Sequence, residues 1–378
     1  MEEPSNPKTI LVVGASGLIG TAVVDVFLDA GWKVIAASRR EPETFSGREF
    51  VHLPVDLQDT QACAESFGKL TSVTHVVYTA VYEKPGLISG WSDPEQMETN
   101  LRMLRNVVEP LSRAAKLEHL ALLQGTKAYG IQPTLIGDAV RINPMRVPAR
   151  ERHPRVEHAN FYWLQEDYIK AKATDLGFAW TIFRPTIVVG PNVGVAMNTI
   201  PVIGVYAALC REEGMPFAYP GHLSFVREAV DVRLIGRAAL WATQTSAAHG
   251  EHFNLTNGEV FSWRDLWPSL AEFLGVESGP DRPTRMGEYL PSRSQVWDRV
   301  VEKYGLRKLK MTQILGESHH SADLRFGYGL TQLPPPIFVS TVKIKQAGFT
   351  ETYDTELSVK HWLGVLIDRK ILPPRLHR

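Results

Sequence analysis

Residues 9–20 read TILVVGASGLIG, and the fold turns on how this stretch is read. Thr9 to Val13 is a short β-branched and apolar run ending at a glycine, the pattern of a buried strand. Residues 18–30 then carry apolar side chains at helical spacing. Between the two, Gly14, Gly17 and Gly20 follow the spacing Gly-x-x-Gly-x-x-Gly. The first glycine permits a tight turn, the second lets backbone approach a pyrophosphate, and the third lets helix pack on strand. A helix opening at Leu18 would offer free amides and a positive dipole end to the phosphates. Bare glycines are weak evidence, but between the first strand and the first helix they point to a dinucleotide. Gly14, Ser16, Gly17, Leu18, Ile19 and Gly20 are the expected contacts.

Further along, WKVIAAS, REFVHLPVDL, THVVYTA, LEHLALLQ and FAWTIFRPTIVVG are β-branched or apolar segments bounded by turn residues. PEQMETNLRMLRNVVEPLSRAA has helical periodicity between two of them. This alternation predicts an α/β fold, a Rossmann-type doubly wound parallel sheet with helices on both faces. Right-handed crossovers place the strand C-termini, and any ligand crevice, along one edge. After Gly190 the pattern loosens. FSWRDLWPSLAEFL and TQLPPPIFVS suggest a smaller, mainly helical C-terminal part for substrate. The expected division is 1–190 for the dinucleotide and 191–378 for substrate, with a segment near 223–256 returning to the first as strand and helix.

Strand two ends Ala36-Ala37-Ser38-Arg39-Arg40. A site preferring NAD offers an acid here to the ribose hydroxyls; a serine and two arginines suit a 2′-phosphate instead. NADP(H) is therefore the expected cofactor, with Ser38, Arg39 and Arg40 at its ribose, although two solvated surface arginines would look the same. Sheet position adds Asp56 and Leu57 after strand three, Thr79 and Ala80 after strand four, and Gln124 after strand five.

Composition narrows the partners. The chain has 378 residues, 44% apolar and 22% charged, with 41 basic and 41 acidic side chains. That balance gives no argument for nucleic acid or a membrane surface. The opening MEEPSNPKT is acidic and polar, unlike a signal peptide, and no apolar run is long enough to span a bilayer. Cys63 and Cys210 are too few for a disulfide framework, so a reduced cytoplasmic protein is expected. No metal site is expected: His319-His320 are adjacent residues without further ligands and read as a solvated loop. The basic runs Arg146–Arg155 and Lys303–Lys310 read as solvated faces, and Trp263, Trp267 and Trp297 as core.

Hydride-transfer sites of this kind use a tyrosine hydroxyl on the substrate oxygen and a lysine that lowers the tyrosine pKa and holds the nicotinamide ribose. Lysine usually follows tyrosine by four residues, on one helix face. Residues 161–172, FYWLQEDYIKAK, offer Tyr168–Lys172 in that spacing, while Tyr162 has Glu166 at its own i+4 position. Strand five ends Leu123-Gln124-Gly125-Thr126-Lys127-Ala128-Tyr129-Gly130. Where a catalytic serine is expected, four before Tyr129, stands Gly125, and Lys127 arrives two residues later. Serine loss, lysine gain and Tyr-x-x-x-Glu form one consistent set around Tyr162 and Lys127. Tyr168 with Lys172 is the competing pair, and Tyr162 as an aromatic packed beside Phe161 and Trp163 is the plain alternative.

Taken together, GASGLIG, ASRR, VDL, GTKAYG, NFYWLQED (160–167), FRPTIVVGP, the Met-Asn of 197–198, YAALCREEG, KQAGF and ILPP resemble one branch of the short-chain dehydrogenases. It is the progesterone 5β-reductase and iridoid synthase family, and the resemblance runs over nearly the whole chain. GTKxY and NFYxxxED are its specific marks; the glycine loop and the Arg-Pro strand are shared more widely. The resemblance implies NADPH-dependent reduction of 1,4-enones, with hydride delivered to the β-carbon of an activated alkene. It implies that Tyr162 stabilises the enolate oxygen and that Lys127 assists. It also implies cofactor contacts by the glycine loop, Arg39, Arg40, Asp56, Leu57, Tyr162, Ile187, Val195, Ala196 and Met197, a small apolar enone as substrate, and a homodimer. Trp163 and Ala128 depart from the Tyr and His common in plant members and are expected near the pocket, leaving substrate identity open. A carbonyl reductase or sugar-nucleotide epimerase-like enzyme using Tyr168 and Lys172, and a non-catalytic NADP(H) sensor, are the other readings.

Overall fold

The computed structural model describes residues 8–85, 90, 92–131 and 145–375, so most of the acidic opening segment lies outside the described residues. Strands β1 (Thr9–Val13), β2 (Lys33–Ser38), β3 (Val51–Pro54), β4 (His75–Tyr78), β5 (His119–Leu123) and β6 (Ala179–Pro185) alternate with helices α1 (Leu18–Asp29), α2 (Thr60–Phe67), α3 (Pro94–Ala114) and α4 (Phe161–Leu176). Ile187–Val189 forms β7 and Thr199–Glu212 forms α5. Beyond them lie β8 (Ala229–Asp231), α6 (Val232–Ala242), β9 (Glu251–Leu255), α7 (Trp263–Leu274) and α8 (Ser318–Phe326). The main sheet has seven strands in the order β9-β6-β5-β4-β1-β2-β3, and every neighbouring pair is parallel. Strand order reverses at β1, between β2 and β4, and that is where a crevice opens at the carboxyl edge.

Burial explains why β1 sits in the interior of the sheet. Ile10, Leu11, Val12 and Val13 are fully buried, since helices cover both faces. Each contributes about 1.5–3 kcal/mol of transfer free energy. The segment FAWTIFRPTIVVG is not one strand. Thr186 separates β6, inside the sheet, from β7, which leaves it and pairs with β8. The strand that completes the sheet is β9, Glu251–Leu255, beside β6. Helix α6 lies on α1, where Gly236 permits contact so close that a Cβ would sit 2.8 Å from Val26 Cγ2.

The C-terminal residues assemble a second core around α5. Trp263 and Trp267 on α7 are 2% exposed and Trp297 is fully buried, as core tryptophans should be. The Phe217 and Trp267 rings stack at 4.5 Å. His319 and His320 are not in a loop: they fall in the first turn of α8, rings 4.1 Å apart. The sequence there is short of apolar residues, which hides the helix from periodicity.

Two histidines lie inside the sheet. His75 and His119 occupy paired positions on β4 and β5, each 2% exposed. Thr181 donates its hydroxyl to Ala248 O, so it must accept from His119 Nε2, 2.9 Å away. That leaves His119 Nδ1 unprotonated, buried and unpartnered. Burial pushes His75 down to about 4 and His119 down to about 3. With folded values below the usual 6.5, protons bind the unfolded chain first. Stability is therefore complete above about pH 6.5 and is lost as pH falls toward 4. We expect the thermal midpoint to fall steadily across that window, and to fall less in a His75→Gln/His119→Gln variant. Equal slopes for the two proteins would contradict this.

Candidate active site

The glycine loop is built by contact with β4. Gly14 has φ +81, and a Cβ on it would lie 2.7 Å from Ala80 N. Thr79 locks the approach by donating its hydroxyl to Val13 O at 2.8 Å. Gly17 caps α1 with no side-chain acceptor, so the first amides of that helix face outward for an anion. Gly20 is displaced from the role of a contact: it does not line the cleft. A Cβ there would lie 2.2 Å from Gly14 O, so its work is to seat helix on strand.

From this loop a cleft of about 860 Å³ runs along the carboxyl edge. Gly14, Ser16, Gly17, Leu18, Ile19, Ser38, Arg39, Arg40, Asp56, Leu57, Thr79, Ala80, Gln124, Lys127, Tyr162, Ile187, Val195, Ala196 and Met197 all line it. Arg39 and Arg40 are exposed, while Ser38 is buried and donates its hydroxyl to Arg40 O at 2.6 Å. Ser38 thus shapes the turn that presents the arginines. A dinucleotide fits these residues: glycines where any side chain would collide, an uncapped helix end, and two cations beside strand two. On the far wall, Ser318 donates to Val195 O at 2.7 Å and accepts from Asn198 N at 2.9 Å, fixing the 195–197 stretch.

Tyr162 and Lys127 line the same cleft, and Tyr162 packs against Gly125. Gly125 is extended, with φ 175, so backbone strain does not demand glycine. Space disfavours a side chain instead: a Cβ there would lie 3.2 Å from the Tyr162 hydroxyl, close enough that one of them must shift by a few tenths of an ångström. The room a serine would take is used by the tyrosine. Asn160 joins the two elements: its Oδ1 accepts from Tyr162 N at 3.1 Å, capping α4, and its Nδ2 donates to Lys127 O at 3.2 Å. Lys127 Nζ donates to Glu83 Oε1 at 3.2 Å, with side chains 12% and 7% exposed. Burial lowers the Lys127 pKa and Glu83 opposes it.

The expectation that a lysine lowers the tyrosine pKa is not met. Burial raises the Tyr162 pKa, the Glu83 carboxylate raises it further, and Arg184 only partly offsets them. The reason is that Lys127 is matched by its own carboxylate. Tyr162 is thus a neutral phenol, able to donate one hydrogen bond to an oxygen gaining negative charge. Glu83 carried no signal in the sequence, lying in a loop with no motif.

Glu166 faces away from this chemistry. It is 2% exposed and meets Arg155, Lys170, Arg184 and His252 at 2.7–3.1 Å. Burial would raise its pKa, but contact with His252 Nε2 and hydrogen bonds from Lys170 and Arg155 hold it far below the usual carboxylate range. Arg184 passes the connection on, donating Nε to Gln124 Oε1, while Gln124 Nε2 donates to Tyr162 O. Arg155, read as part of a solvated face, is in fact a partner of this buried acid. Trp163 and Ala128 do not line the cleft; Trp163 lies against the guanidinium groups of Arg155 and Arg184, at 4.9 and 5.8 Å. Tyr168 and Lys172 also lie outside it. Both bind Glu109 of α3, at 2.8 and 2.9 Å, so that pair braces α4 on α3.

Residues 10–256 match the model of the NAD dependent epimerase/dehydratase family. The (S)-8-oxocitronellyl enol synthase of Camptotheca acuminata is 30% identical over 329 residues, covering 82% of each chain. The 3-oxo-Delta(4,5)-steroid 5-beta-reductase of Arabidopsis thaliana is also 30% identical, covering 83% of this chain and 82% of its own. The chain belongs to the progesterone 5β-reductase and iridoid synthase-like family. Like its relatives it is an oxidoreductase of the short-chain dehydrogenase type. Among solved structures, the UDP-glucose 4-epimerase of Thermotoga maritima superposes with a TM-score of 0.64 at 20% identity, covering 96% of this chain and 99% of that one. That of Thermus thermophilus, solved with NAD, gives 0.61 at 18% identity over 94% and 99%. At these identities the likeness is one of fold. Among the described residues, no helix is long and apolar enough to cross a membrane.

The two acids on these helices test the reading of α4. Glu166→Gln removes the counter-charge of a buried cluster and should cost about 3–5 kcal/mol. Glu109→Gln, at a partly exposed pair, should cost about 0–1 kcal/mol. Chemical denaturation of both variants measures this; similar losses would contradict the assignment of Glu166 as the buried hub.

Proposed function

We propose that the chain is an NADPH-dependent reductase of activated carbon–carbon double bonds, acting on 1,4-enones. The observation that carries this reading is that the Tyr162 hydroxyl, packed over Gly125, and Lys127 line one cleft that is continuous with the glycine loop. Bound NADPH would supply the hydride taken by the β-carbon. Negative charge then moves to the substrate oxygen as an enolate, and Tyr162, a neutral donor, hydrogen-bonds it. Lys127 assists from the same edge, held by Glu83. The apolar side chains of Phe161, Met103, Ile131, Leu324 and Ile337 line the cleft and exclude water from the forming enolate. Arg39 and Arg40 support NADPH over NADH through the 2′-phosphate.

Two features weigh against the remaining readings. Tyr168 and Lys172 are committed to Glu109, away from the cleft, which removes the pair that a carbonyl reductase or epimerase would use. A sensor would have no need of a neutral phenol and a buried lysine lining one cleft.

Purified protein should oxidise NADPH, and NADH less well, in the presence of 2-cyclohexen-1-one. Tyr162→Phe and Lys127→Ala should each lower kcat by about 10²–10³-fold, while Tyr168→Phe retains turnover. Full activity in the first two variants with loss in Tyr168→Phe would overturn the assignment.

A further inference from the structure

One wall of the cleft carries positive charge that the proposed reaction leaves unused. Arg325, on α8, lines it beside Leu324, and Arg227, just before β8, lines it beside Glu228. Arg325 is held in place from behind: Nη1 donates to Thr199 Oγ1 at 2.7 Å and Nη2 to Met197 O at 3.2 Å. These use two of the five N–H donors of a guanidinium. Its only perturbation is burial, which brings it down to about 10, so it stays charged at neutral pH. Among the described residues, no carboxylate lies within ion-pairing distance of Arg325 or of Arg227.

Two other cations of this region are matched by acids. Lys127 has Glu83, and Arg184 has Glu166. An unmatched cation in a largely buried cleft is costly unless something completes it. The position of Arg325 adds to that cost. It sits against the amino end of α5, the end of a helix where a cation is disfavoured and an anion is favoured. Arg227 also lines the cleft: it is 8% exposed, stacks on the Phe225 ring at 4.1 Å, and donates to Val226 O. Glu228 does not serve as counter-charge. Its Oε2 accepts from Val339 N at 2.9 Å, and burial raises its pKa to about 7.

We propose that Arg325 receives a carboxylate of the substrate, so that the preferred substrate is an acidic enone rather than a neutral one. Planar guanidinium donors left open after Thr199 and Met197 suit the two oxygens of a carboxylate. The carboxylate completes the ion pair that the chain omits and anchors the enone while its oxygen meets Tyr162. This rests on the enone reading above and narrows its substrate class.

The test uses vinyl ketones bearing a terminal carboxylate at a series of chain lengths, each against its methyl ester. The wild type should prefer at least one acid by about 10- to 100-fold in kcat/KM. Arg325→Gln, which keeps donors for Thr199 and Met197 but no charge, should bring that ratio to about one, and Arg325→Lys should keep much of it. No preference at any chain length, or a preference that survives Arg325→Gln, overturns the proposal. So does an Arg325→Gln variant whose only defect is weaker NADP+ binding, which would give the guanidinium to the cofactor. Calorimetric binding of the saturated keto acids to the NADP+-loaded protein separates the two readings. If no enone is reduced, binding that is lost in Arg325→Gln still supports the anion subsite. Absence of binding to the wild type overturns it.

Discussion

The buried Glu166 carboxylate is the constraint on which the active-site edge depends. It gathers Arg155, Lys170, Arg184 and His252 from four parts of the chain and ties α4 to β6 and β9. Through Arg184 and Gln124 the same network reaches the backbone of Tyr162. A buried ion cluster of this kind is weak as a source of net stability but strong as a source of specificity, because any altered packing strands a charge. Its effect here is geometric: the first turn of α4 can take one position, with the Tyr162 hydroxyl filling the space over Gly125.

Charge is handled in two ways in the cleft. At the reacting end, Lys127 and Glu83 neutralise each other, so the local field does not ionise Tyr162, and the phenol keeps the proton it needs to donate. At the proposed substrate end, Arg325 and Arg227 have no acid within ion-pairing distance among the described residues. The contrast separates a site tuned for charge that develops during reaction from one tuned for charge that arrives with the ligand.

Much of this was legible in the sequence, and what was hidden has physical reasons. TILVVGASGLIG announced strand, turn and helix because each local preference agrees with the global fold. The Gly125–Lys127 exchange and the Tyr162 position were readable because they are local substitutions in a recognisable edge. The break at Thr186 was not, since apolar β-branched residues continue across it and periodicity cannot tell one strand from two. A segment near 223–256 was expected to return as strand and helix, but that β9 within it pairs with β6 was not legible, because pairing partners far apart in sequence leave no local trace. Glu83, Arg155 and His252 act through long-range contacts and carry no motif. Tyr168–Lys172 had the familiar spacing yet faces Glu109, which shows that spacing on a helix gives a shared face but not the surface that face meets.

The central claim is that hydride reaches the β-carbon of an enone while Tyr162 holds the oxygen. Deuterium tracing tests it most directly. 2-Cyclohexen-1-one is reduced with NADPH deuterated at either face of the nicotinamide C4, and the product is examined by NMR. One of the two labels should appear on the carbon β to an intact carbonyl, giving cyclohexanone. Deuterium on the carbinol carbon of cyclohexenol would show that the carbonyl is the acceptor and would contradict the account.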